Sequence, residues 1–362
     1  MPNAYEIDFL RVGENSKSGD AIAIRLGDYE NGIWKNQQVI VIDGGNAASG
    51  KAMVEHIRKY YHTNKVSRVF LTHTDIDHAY GLRTVMEEME VGKIWMHRPW
   101  NHWPDLKDSI KDGRITKSSF TERMREAYQY AHDLEQIALK KAIPIVAPHQ
   151  GMSYVIGDSP ILTVLGPGKE FYLSLIQSSE KTPPMEIQER LSKGYTEVET
   201  TTEFEDMSFA TEHLGEDGDY VTSCENNMSL VTLFQVGTDK ILFTGDAGTM
   251  GLYKAIYYAI ENGIDLKTLT AYQVPHHGSR RNLSKGILDH IYAPSAFISC
   301  SAKGAPKHPS PIVINALLRR HTASYTTQEG DLMWRSSNLP MRPDWYSAVP
   351  ASFTTWVEVP KD

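Results

Sequence analysis

The sequence has few cysteines, no long apolar run and no excess of basic residues. Cys224 and Cys300 are the two cysteines among 362 residues, and neither lies in a Cys-x-x-Cys pair. We therefore expect neither a disulfide framework nor a thiolate zinc site. Because no run of roughly eighteen apolar residues occurs, we expect no membrane helix and no membrane partner. The first residues, MPNAYEIDFLRVG, lack a signal-peptide pattern, which predicts a cytoplasmic protein.

The charge balance is acidic. There are 37 basic and 45 acidic residues, which gives a net charge of −8 with the histidines neutral. This balance disfavours a protein that coats nucleic acid, because such proteins present a basic surface. A local basic groove remains compatible with the total. The hydrophobic content of 41% and the charged content of 23% are typical of a globular protein.

Short strands rich in branched residues alternate with amphipathic helices. Three strands are predicted within residues 5–45. The later predicted strands are 67–73, 93–99, 143–148, 153–158, 160–168, a hairpin within 228–248, 269–279 and 296–301. The predicted helices are 50–61, 78–90, 118–141, 249–263 and 311–321. This pattern predicts an α/β (α+β) protein with a sheet core covered by helices.

Two segments depart from the alternation. Residues 98–142 are interpreted as a helical and loop insertion, and residues 169–224 as a polar, acidic insertion. The second segment is expected to form a short helix or two and then a mobile loop or cap. It either restricts access to a site or docks a protein partner, and its charge makes it a poor contact for DNA. We predict one domain over residues 1–362, and the oligomeric state stays open.

The stretch LTHTDIDHAYGL places His73, Asp75, Asp77 and His78 within six positions, on the loop that leaves a predicted strand. These side chains are costly to bury unless they bind something. In a tight loop, the alternate residues His73 and Asp75 can turn toward one position, and the next two, Asp77 and His78, toward an adjacent position. This arrangement suits two metal ions. Mixed imidazole and carboxylate ligands favour zinc or manganese. The motif therefore predicts two divalent ions as cofactors.

Further candidate ligands follow later strands. Asp246 of the TGD motif is a candidate bridge between the two ions. His277 of the HHGS motif is a candidate ligand of the second ion, and His276 and His308 are alternatives. Because loops at strand ends carry chemistry, we expect these residues at one edge of a sheet. Asp77 and His308 are the candidate catalytic residues for proton transfer.

The order HxDxDH, TGD, HHGS, together with NNMSLVTLF and HPSPIVINAL, resembles the metallo-β-lactamase-fold hydrolase superfamily. It is most similar to the hydrolase domain of bacterial competence DNA-uptake proteins (the ComEC type) and its free-standing relatives, over about residues 5–336. The resemblance implies a four-layer αββα sandwich with the metals at one edge of two packed sheets. It implies that His73 and Asp75 bind the first ion, that Asp77 and His78 bind the second, and that Asp246 bridges them.

The sequence departs from the superfamily pattern in two places. The first motif usually reads HxHxDH, and Asp75 replaces its second histidine here. A further histidine usually precedes the strand before the GD motif, where this chain reads CENNMS. Asn226 or Asn227 therefore lies near the first ion or belongs to a plain turn. By the same resemblance, Asp43 of IDGG orients a ligand imidazole, unless it is a turn residue.

Basic residues lie beside the predicted ligands. Arg280 and Arg281 follow HHGS directly, and Lys307 precedes His308. In an acidic chain this cluster favours an anionic, phosphate-containing substrate, with ordinary surface charge as the alternative. We expect a phosphodiesterase or nuclease that acts on DNA, RNA or a nucleotide through a metal-bound hydroxide. The alternatives are a lactone, thioester or amide hydrolase, or a catalytically restrained subunit of a defence or DNA-processing system.

Overall fold

The computed structural model describes residues 2–13, 18–110, 112–183, 199–219, 221–303 and 308–360. The strands are β1 (Ala4–Phe9), β2 (Ala21–Glu30), β3 (Ile33–Gly44), β4 (Lys65–Val66), β5 (Arg68–Phe70), β6 (Glu90–Val91), β7 (Ile94–Trp95), β8 (Ile145–Val146), β9 (Ser153–Ile156), β10 (Ser159–Gly166), β11 (Thr200–Phe204), β12 (Val231–Val236), β13 (Asp239–Phe243), β14 (Ala271–Gln273), β15 (Ser295–Ile298), β16 (Ala323–Thr326), β17 (Leu332–Arg335) and β18 (Trp356–Pro360).

Ten α-helices are found in these ranges. They are α1 (Ala47–His56), α2 (Ile76–Glu88), α3 (Trp103–Leu106), α4 (Lys117–Ala127), α5 (Gln129–Lys140), α6 (Lys169–Ser178), α7 (Cys224–Asn227), α8 (Thr249–Glu261), α9 (Lys285–His290) and α10 (Pro311–Arg319). No helix among the described residues is long and apolar enough to cross a membrane.

The strands form two seven-stranded sheets and two small ones. The first sheet has the order β17-β1-β2-β3-β5-β7-β8, and the second has the order β16-β15-β14-β13-β12-β10-β9. Strands β3, β5, β7 and β8 run parallel, as do β13 to β16. Because the carboxyl ends of parallel strands meet at one edge, the loops after β3, β5, β13 and β14 lie at sheet edges where side chains converge.

Three apolar cores hold the layers together. The inner core lies between the sheets and includes Phe9 and Phe297, whose rings stack with centroids 4.7 Å apart. A second core joins the first sheet to α1, α2 and α5, and a third joins the second sheet to α8, α9 and α10. Burying these apolar faces drives the layers together. The resulting four-layer αββα arrangement confirms the predicted fold class.

Several element boundaries differ from the prediction. The predicted strands 93–99, 143–148 and 269–279 are shorter, at Ile94–Trp95, Ile145–Val146 and Ala271–Gln273. The predicted strand 67–73 ends at Phe70, so His73 lies on the loop beyond it. The predicted helix 118–141 is broken at Tyr128, whose φ of −116° and ψ of 41° are not helical. The buried Tyr128 ring packs in the core, and its hydroxyl donates to Glu225. Tertiary packing therefore overrides the continuous helical periodicity here.

The acidic segment contains more regular structure than predicted. Helix α6 is the expected short helix, but β11 pairs antiparallel with β18 from the end of the chain. Three of its carboxylates bind basic side chains elsewhere in the chain, in the pairs Glu205–Arg319, Glu212–Arg320 and Glu216–Lys285. Residues 184–198 lie outside the described residues. A protein partner for this segment, the single domain over 1–362 and the insertion bounds at 98–142 and 169–224 stay predictions.

Candidate metal centre

Loops at the edge of the two sheets bring the candidate ligands together. Helix α2 begins at Ile76 and carries Asp77 and His78 in its first turn. This helix approaches the end of β3 so closely that a Cβ on Gly81 would collide with the carbonyl oxygen of Gly44. The glycine pair therefore allows α2 to lie against the end of β3.

The Asp246 carboxylate lies at the centre of four imidazole rings. Its Oδ2 is 3.4 Å from Nε2 of His78, 3.6 Å from that of His276, 3.7 Å from that of His277 and 3.8 Å from that of His73. Histidines from two separate segments, after β5 and after β14, thus converge on a carboxylate from a third, after β13. This is the position that a ligand shared by two ions would take.

The buried polar atoms of this cluster test whether it fits a metal. Nε2 of His73, His78 and His277 and Oδ1 of Asp246 are buried and have no hydrogen-bond partner among the described residues. Leaving such atoms unpaired in the interior costs about 1–3 kcal/mol each. A divalent cation would satisfy all of them, because neutral imidazole and carboxylate are its usual ligands. The residues present therefore fit a metal centre.

Hydrogen bonds at the other ring nitrogen orient two of the imidazoles. Nδ1 of His78 donates to Asp43 Oδ2 at 2.7 Å, and Nδ1 of His277 donates to the carbonyl oxygen of Ser299 at 2.9 Å. Each bond fixes the orientation of its ring and directs Nε2 toward Asp246. Asp43 also accepts from the backbone N–H of Thr72 at 2.8 Å, so it ties the loop after β5 to the ring of His78.

The electrostatics of the cluster favour a cation. Burial lowers the pKa of His73 and of His277, so both rings are neutral near pH 7. Burial opposes ionisation of Asp246, but the surrounding imidazoles hold its pKa well below the usual range. Burial likewise opposes charging of His78, but the carboxylates of Asp246 and Asp43 raise its pKa well above the usual value. Excess negative charge of this kind attracts a positive ion.

The candidate ligands form overlapping groups whose atoms lie within 4.8 Å of one another. These groups are His73–His78–Asp246, Asp77–His78–His277 and Asp246–His276–His277. Asp75 is outside them. Its Oδ2 lies 3.8 Å from Nε2 of His73, and its Oδ1 lies 3.2 Å from Nζ of Lys181. The structure thus brings Asp77 close to the later histidines and leaves Asp75 at the rim.

The two asparagines of CENNMS have different surroundings. Nδ2 of Asn226 lies 3.1 Å from Nδ1 of His276, at the edge of the cluster. Asn227 instead binds Thr222 through Nδ2 and the backbone N–H of Gly251 through Oδ1, which joins α7 to α8. Asn226 is therefore next to the candidate ligands, and Asn227 holds neighbouring helices together.

The remaining predicted residues lie around the cluster. The His308 ring is 5.8 Å from that of His276, and its buried Nδ1 has no hydrogen-bond partner among the described residues. Burial lowers the pKa of His308 to about 3, so the ring is neutral near pH 7. Arg280 donates to the carbonyl oxygen of Glu358 in β18 at 2.7 Å. Arg281 is half-buried, and Lys307 lies outside the described residues.

Three buried polar residues support the cluster and were not predicted. Asp20 accepts from Gln273 at 2.7 Å, and Oε1 of Gln273 accepts the backbone N–H of Gly245 at 3.2 Å, next to Asp246. The sequence offered one signal for Asp20, which is a carboxylate directly before the apolar strand β2. In the structure the start of β2 pairs with the end of β3. Asn282 is a separate support. Its Oδ1 accepts from Nδ1 of His276 at 2.8 Å, and its Nδ2 donates to the carbonyl oxygen of Asp246 at 2.9 Å.

Removing divalent ions should destabilise the folded chain. Ions that bind the folded state stabilise it by about 2.7 kcal/mol at a hundred times their Kd. At about 2.1 cal/mol/K per residue, a chain of 362 residues has an entropy of unfolding of about 0.76 kcal/mol/K. We therefore expect EDTA to lower Tm by roughly 3–4 °C for each ion removed, about 7 °C for two, and added zinc or manganese to restore it. Differential scanning calorimetry would measure this, with calcium as the control ion because it prefers oxygen ligands. An unchanged Tm would contradict a folded-state metal centre.

Comparisons with known proteins agree with this architecture. The model of the Metallo-beta-lactamase superfamily matches residues 33–289, which is more than half of the chain. No curated protein matches the chain.

Solved structures with a similar fold share little sequence. The metallo-beta-lactamase fold protein YhfI from Bacillus subtilis is 8% identical, with 92% of this chain and 100% of that chain covered and a TM-score of 0.43. A diphosphatase from the PhnP family is 9% identical, with 92% and 99% covered and a TM-score of 0.38. A mutant of the CmlA beta-hydroxylase is 10% identical, with 93% of this chain but 54% of that chain covered and a TM-score of 0.43. By the family match over residues 33–289, the chain belongs to the metallo-beta-lactamase superfamily.

Proposed function

We propose that this metallo-β-lactamase-fold hydrolase is a two-metal phosphodiesterase that acts on DNA, RNA or a nucleotide. The observation that carries the proposal is the position of Asp246, which is shared by the groups His73–His78–Asp246 and Asp246–His276–His277. Two ligand groups that share one carboxylate suit a pair of ions, zinc or manganese. Paired divalent ions are a common solution for phosphate esters.

Different residues of the chain would bind the ions, accept a proton and accept a hydrogen bond. The four imidazoles and Asp246 would hold the ions, with Asp77 as a further ligand on the His277 side. When bound, the ions supply Lewis-acid polarisation of a phosphoryl oxygen and lower the pKa of water. Asp77, half-buried in the first turn of α2, is the candidate proton acceptor. His308 is neutral near pH 7 because burial lowers its pKa to about 3, so it would accept a hydrogen bond.

Support for an anionic polymer or nucleotide comes from charge and from motif resemblance. Lys181 places an ammonium group 3.2 Å from Asp75 at the rim of the cluster. An ammonium group beside a cation site favours a negatively charged substrate. The similarity of the HxDxDH, TGD and HHGS order to ComEC-type hydrolase domains favours nucleic acid. A cytoplasmic location is part of this proposal.

The reaction is tested directly with purified protein. We expect hydrolysis of bis-p-nitrophenyl phosphate, and cleavage of labelled single- or double-stranded DNA, with manganese or zinc and none with EDTA. Asp77→Ala should lose at least about a hundredfold in kcat/KM, because it removes a metal-side carboxylate. Asp158→Asn, an exposed residue of the β9–β10 turn, is the matched control and should keep wild-type activity.

One result would refute the phosphodiesterase proposal. This is a protein that holds about two equivalents of metal but cleaves neither phosphodiester nor DNA under any of these conditions. Parallel assays with a lactone, a thioester and an amide would then show whether the same centre performs another hydrolysis.

A further inference from the structure

Lys181 places a positive charge beside the metal centre. Its Nζ lies 3.2 Å from Oδ1 of Asp75, and the other oxygen of that carboxylate lies 3.8 Å from Nε2 of His73. Lys181 follows helix α6 and is 106 positions from Asp75, so the tertiary fold brings the two together. The ammonium group therefore contacts Asp75, itself a predicted metal ligand, whose other oxygen approaches His73.

The segment that carries Lys181 is held by a buried polar network. Ser179 Oγ donates to Glu225 Oε1 at 2.6 Å and accepts the backbone N–H of Lys181 at 3.0 Å. Nζ of Lys181 lies 5.2 Å from the centre of the Tyr128 ring, whose hydroxyl donates to the same Glu225 oxygen at 3.2 Å. These contacts limit the positions open to the lysine, which reduces the entropy lost when it binds a ligand.

Lys181 and Asp75 are accessible to solvent beside the buried cluster. The side chain of Lys181 is 38% exposed and that of Asp75 is 34% exposed, whereas the side chain of His73 is fully buried. An ammonium group has three N–H donors, so a bond to Asp75 leaves others for a ligand. Arg280, one of the three predicted substrate-binding residues, donates from Nη1 to the carbonyl oxygen of Glu358 and so points toward β18.

We propose that Lys181 binds a phosphoryl oxygen of the substrate and thereby selects anionic esters. This inference rests on the proposed phosphodiesterase function and deepens it. A charge-assisted hydrogen bond from Nζ would add to the attraction of the ions for the same phosphate. The lysine acts on substrate binding, so its effect should fall mainly on KM.

Substitution of Lys181 tests the inference. Lys181→Met keeps the length of the side chain and should raise KM for bis-p-nitrophenyl phosphate about tenfold, with a smaller change in kcat. Lys181→Arg retains the charge and should stay within about threefold of the wild type. Lys169→Met is the matched control, because Lys169 also forms an exposed pair with an aspartate, Asp105, at 3.1 Å and lies at the start of the same helix.

A binding measurement separates this inference from the reaction itself. Calorimetry with manganese-loaded protein and dimethyl phosphate, an unreactive phosphodiester, gives a Kd without turnover, and the metal content of each variant is measured in parallel. Weaker binding by Lys181→Met at unchanged metal content, with Lys169→Met equal to the wild type, supports the inference. It does so even if no phosphodiester is cleaved, which would refute only the proposed reaction.

Two results would overturn the role of Lys181. Equal affinity of wild type and Lys181→Met for dimethyl phosphate would show that the lysine does not bind the anion. Altered metal content without altered phosphate affinity would show that Lys181 acts on Asp75 alone.

Discussion

Asp246→Asn should abolish the metal centre and lower hydrolysis roughly a thousandfold or more. The carboxylate lies 3.4–3.8 Å from Nε2 of four imidazoles, and it is shared by the groups His73–His78–Asp246 and Asp246–His276–His277, so both depend on its charge. The amide has nearly the same shape but is neutral, and its NH2 group offers hydrogens where a lone pair is needed. Metal content by plasma mass spectrometry and kcat/KM for bis-p-nitrophenyl phosphate would measure both losses.

The control for Asp246→Asn must show that the chain still folds. Circular dichroism should give the wild-type spectrum, because the backbone N–H of Asp246 keeps its bond to Ser229 Oγ at 3.1 Å. Asp158→Asn, on the exposed β9–β10 turn, should retain both metal and activity. A well-folded Asp246→Asn protein that still binds about two equivalents of metal would refute a shared carboxylate ligand.

The part of the site that could be predicted consists of residues whose position depends on local spacing or on strand ends. His73, Asp77 and His78 are close in sequence, so a single loop brings them together. Asp246 and His277 follow parallel strands that end at the same edge, so motif order and topology were enough to place them near that loop. The alternation of strands and helices was enough to predict an α/β protein with a sheet core covered by helices. The four-layer αββα sandwich was implied by the motif resemblance.

The residues that were missed depend on contacts between distant segments. The place of Asp20 follows from the β2–β3 register, in which Ala21 lies opposite Gly44. Lys181 lies in a segment without periodicity, and no local pattern relates it to Asp75. The pairing of β11 with β18 joins residues 200–204 to 356–360, which no turn signal could indicate. Long-range polar contacts of this kind leave no signature in the spacing of a single sequence.

Asp43→Asn should weaken metal binding on the His78 side about 10- to 100-fold, because Asp43 orients the His78 ring. Its Oδ1 accepts the backbone N–H of Thr72 at 2.8 Å, and its Oδ2 accepts from Thr72 Oγ1 at 2.5 Å and from His78 Nδ1 at 2.7 Å. An amide has one carbonyl oxygen. If that oxygen faces the Thr72 backbone, its NH2 group faces His78 Nδ1 and favours the tautomer with the proton on Nε2. With a proton on Nε2, the ring cannot bind a metal ion through that nitrogen. Loss of a contact that orients a ligand typically weakens metal affinity by about 10- to 100-fold.

The defect in Asp43→Asn is one of affinity, so its signature differs from that of Asp246→Asn. Titration against a chelator of known affinity should show the weaker Kd, and hydrolysis should recover substantially at high manganese or zinc. Asp28→Asn, at the other end of the same β2–β3 hairpin, keeps a partner in Asn36 and should leave metal affinity unchanged. Wild-type metal affinity in Asp43→Asn would contradict the orientation of the ring by this carboxylate.

Because Asp43 also ties the loop after β5 to His78, the same substitution should lower the free energy of unfolding by about 1–3 kcal/mol. Loss of stability without loss of metal affinity would mean that Asp43 holds the loop but does not orient the ligand.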